Sequence, residues 1–225
     1  MAEWQVTAGV ELILGGQKSG KSRRAEWLAA AWLAGAGQRC VGGTHQFPRQ
    51  ATLLATAQAW DAEMRERIAR HQTDRAQRVP GLATVEEPLA LAQAIRTLSA
   101  PHHLLVVDCL TLWLTGLLMP MVATADPVET VATEDLEPKQ AVALDSKALS
   151  ATHIDNLLDA LRTAPGPVVL VGNEIGLGVI PLGAEVRRFV DELGLLNQRV
   201  GDVAQRVVLM VAGQALVIKQ ELTHE

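Results

Sequence analysis

Cysteine is scarce in this chain: only Cys40 and Cys109 occur, and their separation suits neither a disulfide scaffold nor a zinc site. That scarcity points to a reducing compartment, so the cytoplasm is the expected location. No block of Lys and Arg exists either. A net charge of -5 and a pI near 5.7 leave no electrostatic footprint for DNA or RNA, so nucleic acid is not expected as a partner. The start carries Glu3 and lacks a short apolar run closing in small residues, so it does not read as a secretory signal. A membrane span is not expected. The most apolar stretch, Cys109 to Ala125, is broken by Thr111, Thr115, Gly116 and Pro120 and falls short of the ~20 residues that a spanning helix needs. No internal repeat is visible.

What is present suffices for a core, since 48% of the 225 residues are apolar, and one domain over 1–225 is expected. Val10 to Leu14 is a continuous apolar run before glycines, which suits a strand covered on both faces. From Lys21 to Leu33 a helix is predicted, with Ala25, Leu28, Ala29 and Trp32 forming one stripe. Gly35 to Gln50 reads as a loop, Ala51 to Thr56 as a strand, Asp61 to about Gln72 as a helix, and Ala83 to Glu86 as a short strand. A helix over Leu89 to Leu98, a strand over His103 to Asp108 and a helix through Leu118 follow. Pro120 to Lys147 is acidic, with Asp126, Glu129, Glu134, Asp135, Glu137 and Asp145, and reads as a mobile insertion. Beyond it come a helix over Ser150 to Arg162, a strand over Val168 to Gly172 and a long helix over Ala184 to Ala204. A hairpin of Val207 to Ala212 with Ala215 to Lys219 turns at Gly213-Gln214. Strands alternating with helices predict an α/β fold: a mostly parallel sheet flanked by helices, of the RecA-like P-loop class, ending in an antiparallel hairpin.

The chemistry is concentrated in Gly15-Gly16-Gln17-Lys18-Ser19-Gly20-Lys21-Ser22, a complete phosphate loop between strand and helix. Its glycines let successive backbone N–H groups turn onto phosphate oxygens at a helix start. Lys21 would reach the β- and γ-phosphates, and the Ser22 hydroxyl would ligate Mg²⁺. The second Mg²⁺ group is expected at the end of a neighbouring strand, where Asp108 stands; capping of the helix near Leu110 is the plainer use of the same carboxylate. His71 shares an inward helix face with Met64 and Ile68 and could attack an α-phosphate, although beside Arg67 and Arg70 it also fits a surface position. His102 and His103 are explained by a polar turn before a strand. Asn173-Glu174 ends a strand and suits either a ligand group or a loop cap. His153 and the five Trp residues suggest only packing or surface positions.

Taken together, five stretches resemble the bifunctional adenosylcobinamide kinase and adenosylcobinamide-phosphate guanylyltransferase family of cobalamin biosynthesis. They are Leu14 to Arg23; Leu54 to Gln58 with Asp61 to His71; Val107 to Thr115; Val171-Gly172-Asn173-Glu174-Ile175-Gly176 on to Pro181; and Arg187 to Phe189 through Leu196-Asn197-Gln198-Arg199. The Asn-Glu-Ile-Gly and Leu-Asn-Gln-Arg segments are the selective ones. The resemblance implies two reactions at one nucleotide site. A nucleoside triphosphate, ATP or GTP, phosphorylates adenosylcobinamide; then GTP guanylylates the enzyme and GMP passes to adenosylcobinamide phosphate, giving adenosylcobinamide-GDP. It also implies that His71 is the guanylylated residue, that Glu86 and Asp108 contact GTP through nucleoside hydroxyls, that Ala55, Thr56 and Ala57 lie near the nucleotide, and that the chain forms a homotrimer.

The sequence departs from the family pattern in three places. Lys18 stands where Arg is usual, the 35–50 and 120–147 segments are long, and the tryptophan often found after the histidine helix is missing near Val79 to Leu82. These bear on corrinoid grip rather than on nucleotide chemistry. A kinase-only relative is the alternative enzyme. A regulatory GTP switch fits less well, because no Asn-Lys-x-Asp guanine-reading motif occurs: Asn173 is followed by Glu174 and Ile175.

Overall fold

A computed structural model describes residues 9–35, 47–58, 62–119 and 139–221, apart from the side chains of Met64, Arg67, Ile68, His71 and residues 139–149. In chain order the elements are β1 (Val10–Gly15), α1 (Lys21–Leu33), β2 (Gln50–Ala55), α2 (Ala62–Arg78), β3 (Leu82–Glu86), α3 (Leu91–Leu98) and β4 (His103–Asp108). Then come α4 (Leu110–Leu118), α5 (Lys139–Thr163), β5 (Val168–Val171), α6 (Ala184–Val203), β6 (Arg206–Val211) and β7 (Gln214–Gln220). The strands form one sheet in the order β3-β2-β4-β5-β1-β6-β7, in which all neighbours are parallel except the final β6 and β7 pair. This is the expected α/β class with its antiparallel hairpin.

The central strands are continuous apolar runs because helices cover both of their faces. Along β4 the side chains alternate: Leu104 and Val106 join the cluster under α1, while Leu105 and Val107 join the one built by α3, α4, α5 and α6. All four residues of the predicted α1 stripe, Ala25, Leu28, Ala29 and Trp32, are buried. Trp32 also donates its indole N–H to the Gln50 carbonyl at 2.9 Å, and the Arg49 guanidinium stands 4.6 Å over its ring, tying α1 to β2. Glu11 on β1 pairs with Arg24 on α1 at 3.0 Å, largely out of water, and so fixes the helix that begins at the phosphate loop.

Most element ends shift by one or two residues, and three differences from expectation have a clear cause. Helix α2 continues past Gln72 to Arg78, because no breaker occurs before Pro80-Gly81. Helix α5 begins at Lys139 rather than Ser150, since Gln140, Ala141, Ala143 and Leu144 favour helix; the rest of the acidic segment, 120–138, and most of the 35–50 loop, 36–46, lie outside the described residues. The hairpin turns at Ala212-Gly213, not Gly213-Gln214, with φ of 51° and 78°, as a primed two-residue turn demands positive φ at both positions.

His103 is a further correction. It is not a turn residue but the buried first residue of β4, 2.8 Å from the Thr52 hydroxyl. Burial and the neighbouring His102 push its pKa below the usual 6.5, an effect that a bond with the Leu98 backbone partly opposes. The unfolded chain therefore binds the proton more readily below pH 6.5, and stability is lost as the pH falls from there toward the folded-state value. Unfolding free energy should drop more steeply from pH 6.5 to about 5 in the native protein than in His103→Gln, by denaturant titration across that range; equal slopes would refute it.

Candidate active site

Between β1 and α1 the backbone makes the turn that the glycines permit. Gly20 has φ 102° and Lys18 φ 56°, so consecutive N–H groups change direction around one concavity. Gly15 is needed for a second reason. A Cβ there would lie 2.6 Å from both the Met210 carbonyl and the Ser19 hydroxyl. The C-terminal hairpin buttresses this loop, since Gly213 N–H donates to the Ser19 carbonyl at 3.1 Å. Gly16, Gln17 and Lys18 are exposed at the rim.

Lys21 is 8% exposed, and its ammonium donates to the Gly16 carbonyl at 2.6 Å, which holds it across the mouth of the loop. Burial lowers its pKa, and the Asp108 carboxylate offsets part of that effect. One residue on, Ser22 Oγ donates to Asp108 Oδ1 at 3.4 Å. Strand β4 is not next to β1, as the expected placement had it: β5 lies between them, and Asp108 reaches Ser22 across it. The N-cap of α4 is Cys109, which makes no side-chain capping bond. Ser22 and Asp108 present the two oxygens that Mg²⁺ commonly takes from a protein, leaving phosphate and water to complete its shell. Among the described residues no group of three or more His, Cys, Asp and Glu forms an all-protein metal cage.

The carboxyl ends of β3, β2 and β4 carry Glu86, Ala55 and Asp108 in register. Thr56 is buried just beyond: its N–H donates to the Asp108 carbonyl at 3.2 Å, its hydroxyl to the Cys109 carbonyl at 2.7 Å, and the Cys109 N–H returns a bond to that hydroxyl at 2.8 Å. Thr56 therefore fixes the backbone that aims Asp108, and Ala57 follows it. Burial pushes the Cys109 thiol up to about 11, which leaves it protonated and unreactive near neutral pH. Glu86 is exposed on the edge strand, ~19 Å from β1 by four strand spacings, so the structure does not bring it to the phosphate loop itself.

Helix α2 spans this edge. Gln72 Nε2 donates to Glu86 Oε1 at 3.2 Å, and one turn later Arg75 stands 3.8 Å from Asp108 Oδ2. Position 71 lies on the same helix, beside Gln72 and one turn before Arg75; the inward face assigned to Met64, Ile68 and His71 concerns side chains outside the described ones. Arg75, Arg78 and Glu26, which join α2 to α1, were missed in the sequence. The available signal was spacing: Glu26 follows Ser22 by four residues, and Arg75 follows His71 by four.

The β5 end is bonded into the same cluster. Glu174 N–H donates to the Gly15 carbonyl at 3.0 Å, Asn173 N–H to the Thr111 hydroxyl at 2.9 Å, and Asn197 Nδ2 on α6 to the Asn173 carbonyl at 3.1 Å. The Glu174 carboxylate caps its own loop by accepting from Gly176 N–H at 2.9 Å. Beyond it lies a groove of about 550 Å³ bordered by Ile175, Ile180, Arg187, Asp191 and Gln198, with Leu177, Val179 and Leu182 exposed nearby. No helix among the described residues is long and apolar enough to cross a membrane.

Known proteins are similar in sequence to this chain along nearly its whole length. The family model described as cobinamide kinase / cobinamide phosphate guanyltransferase matches residues 11–218. The bifunctional adenosylcobalamin biosynthesis protein CobP of Pseudomonas aeruginosa is 41% identical over 211 residues, covering 94% of this chain and 98% of that protein. Those called CobU in Escherichia coli and Salmonella typhimurium are each 32% identical over 208 residues, covering 92% of this chain and 98% of theirs. With sequence agreement running from the first strand of the sheet to its last, the chain belongs to the cobinamide kinase / cobinamide phosphate guanyltransferase family.

Proposed function

We propose that the chain phosphorylates adenosylcobinamide with a nucleoside triphosphate and then transfers GMP from GTP, by way of His71, to adenosylcobinamide phosphate. One observation carries this reading. The two segments selective for the family, at Asn173-Glu174 and Asn197, are hydrogen-bonded to each other, to Thr111 and to Gly15 of the phosphate loop, which supports their serving one nucleotide site.

In the first reaction the hydroxyl of the aminopropanol arm attacks the γ-phosphorus, its proton is lost, and the nucleoside diphosphate leaves. The loop N–H groups and Lys21 hold the phosphates and offset their charge as the bond to the leaving oxygen breaks. In the second, an imidazole nitrogen of His71 attacks the α-phosphorus of GTP and expels pyrophosphate, leaving a phosphoramidate. A phosphate oxygen of adenosylcobinamide phosphate then attacks the same phosphorus, frees the imidazole and yields adenosylcobinamide-GDP. Two displacements replace one difficult encounter between two anions. Ser22 and Asp108 would hold Mg²⁺, which when bound neutralises phosphate oxygens and departing pyrophosphate. Ala55, Thr56 and Ala57 would flank the nucleotide, with Glu86 and Asp108 meeting the nucleoside hydroxyls. By family analogy the chain works as a trimer, and we place it in the cytoplasm as one nucleotide-binding domain with an acidic insertion at 120–147.

Incubation with adenosylcobinamide, Mg²⁺ and ATP should give the corrinoid phosphate, and addition of GTP should convert it to adenosylcobinamide-GDP with release of pyrophosphate, both followed by mass spectrometry. Phosphorylation without the second product would favour the kinase-only alternative, and absence of both would defeat the proposal.

A further inference from the structure

Two arginines fasten α2 to the phosphate site, and they are held differently. Arg78 is locked: Nε and Nη2 bond Glu26 Oε2 and Oε1 at 2.8 and 3.0 Å. Arg75 is 7% exposed, yet its Nε lies 3.5 Å from Glu26 Oε1 and its Nη2 lies 3.8 Å from Asp108 Oδ2, both ion pairs without hydrogen-bond geometry. Among the described residues its Nε, a buried donor, has no hydrogen-bond partner. A buried guanidinium left short of hydrogen bonds is costly, and attraction to nearby carboxylates must offset that cost. Glu26 is already engaged by Arg78. Arg75 therefore shares Glu26 with Arg78 and also reaches Asp108, the carboxylate that meets Ser22 beside the phosphate loop.

The groups proposed for γ-phosphoryl transfer stand on the loop, α1 and β4, all anchored in the sheet. Capture of the α-phosphate alone depends on α2, through position 71, which is one turn and about 6 Å along the axis from Arg75. A displacement of about 1 Å at such a point costs on the order of 10²-fold in rate.

We infer that Arg75 is a positioning residue for guanylyl transfer: through Glu26 and Asp108 it sets where α2, and position 71 with it, stands relative to the phosphate site. The inference rests on the assignment of the guanylyl step to His71. It predicts unequal losses. In Arg75→Ala the rate of GMP adduct formation from α-labelled GTP should fall by about 10- to 100-fold, and phosphorylation of adenosylcobinamide by at least about tenfold less than that. The GTP concentration for half-maximal labelling should move by less than about threefold, because the loop that binds the phosphates is untouched. Arg75→Lys, which keeps the charge but not the reach, should recover part of the labelling rate.

The experiment measures both rates on the full chain, together with the thermal midpoint of each variant. Proportional loss of both activities in folded protein overturns the inference, because that is what general loosening produces; so does unchanged labelling. Should Arg75→Ala not fold, Arg75→Lys and Arg75→Gln provide the same ratio. A native chain that forms no adduct defeats the His71 reading and this inference together, whereas native labelling with an unaffected Arg75→Ala defeats this inference alone.

Discussion

His71→Ala, incubated with α-labelled GTP and Mg²⁺, is expected to retain no covalent label, while the native chain carries one GMP in a bond that acid breaks and base spares. That lability is the signature of a phosphoramidate, and it separates imidazole from serine or threonine oxygen as the acceptor. Removal of the nucleophile deletes a covalent step rather than weakening a contact, so guanylyl transfer should fall by at least about 10³-fold. Phosphoryl transfer should fall far less, since Lys21 bonds the Gly16 carbonyl and Ser22 bonds Asp108, contacts that do not pass through position 71. Label that survives the substitution with the same acid lability would remove His71 from the mechanism. Imidazole suits the task because its neutral form is plentiful near pH 7.

Lys21→Met should instead lower both reactions, each by about 10²- to 10³-fold, because one ammonium serves the phosphates in either displacement. Its effect on folding should have the opposite sense. Burial lowers the pKa of Lys21, so the charged form is disfavoured in the folded chain; stability rises with pH between the folded and unfolded values, and at neutral pH the charge is a liability. Methionine keeps the aliphatic length and discards that charge. Its thermal midpoint at pH 7 should therefore equal or exceed the native one, although the bond to the Gly16 carbonyl at 2.6 Å is lost. Calorimetry with both assays checks the pair of effects; a clearly destabilised variant would mean that the charge supports the loop more than burial penalises it. A site group that costs stability while supplying chemistry is a common trade.

Most of the sheet was legible because its strands are short apolar runs with breakers between them. The bounds of the His103 to Asp108 strand and the Lys21 to Leu33 helix agree with expectation, although the part played by His103 within its strand does not. Element ends were harder wherever the determinant lay elsewhere in the chain. The turn at Ala212-Gly213 is set by the twist of two paired strands, and its Gly213 meets Ser19 nearly two hundred residues away. His103 read as a polar turn residue because Thr52, its partner, comes from another strand. Asp108 stood out as the carboxylate ending an apolar strand and Glu86 only by resemblance, and the parallel register of β3, β2 and β4 aligns them at one edge.

By itself the amino-acid order determined the phosphate loop, because its glycines, lysine and serine act within eight consecutive residues and local backbone geometry is enough to assemble them. Tertiary structure alone decided what meets Asp108. Ser22, Arg75 and Asp108 are brought together by the insertion of β5 between β1 and β4 and by the docking of α2 on α1. Such contacts depend on closing long loops around a packed core, and the energy that closes them is spread over the whole sheet rather than encoded near any of the three residues.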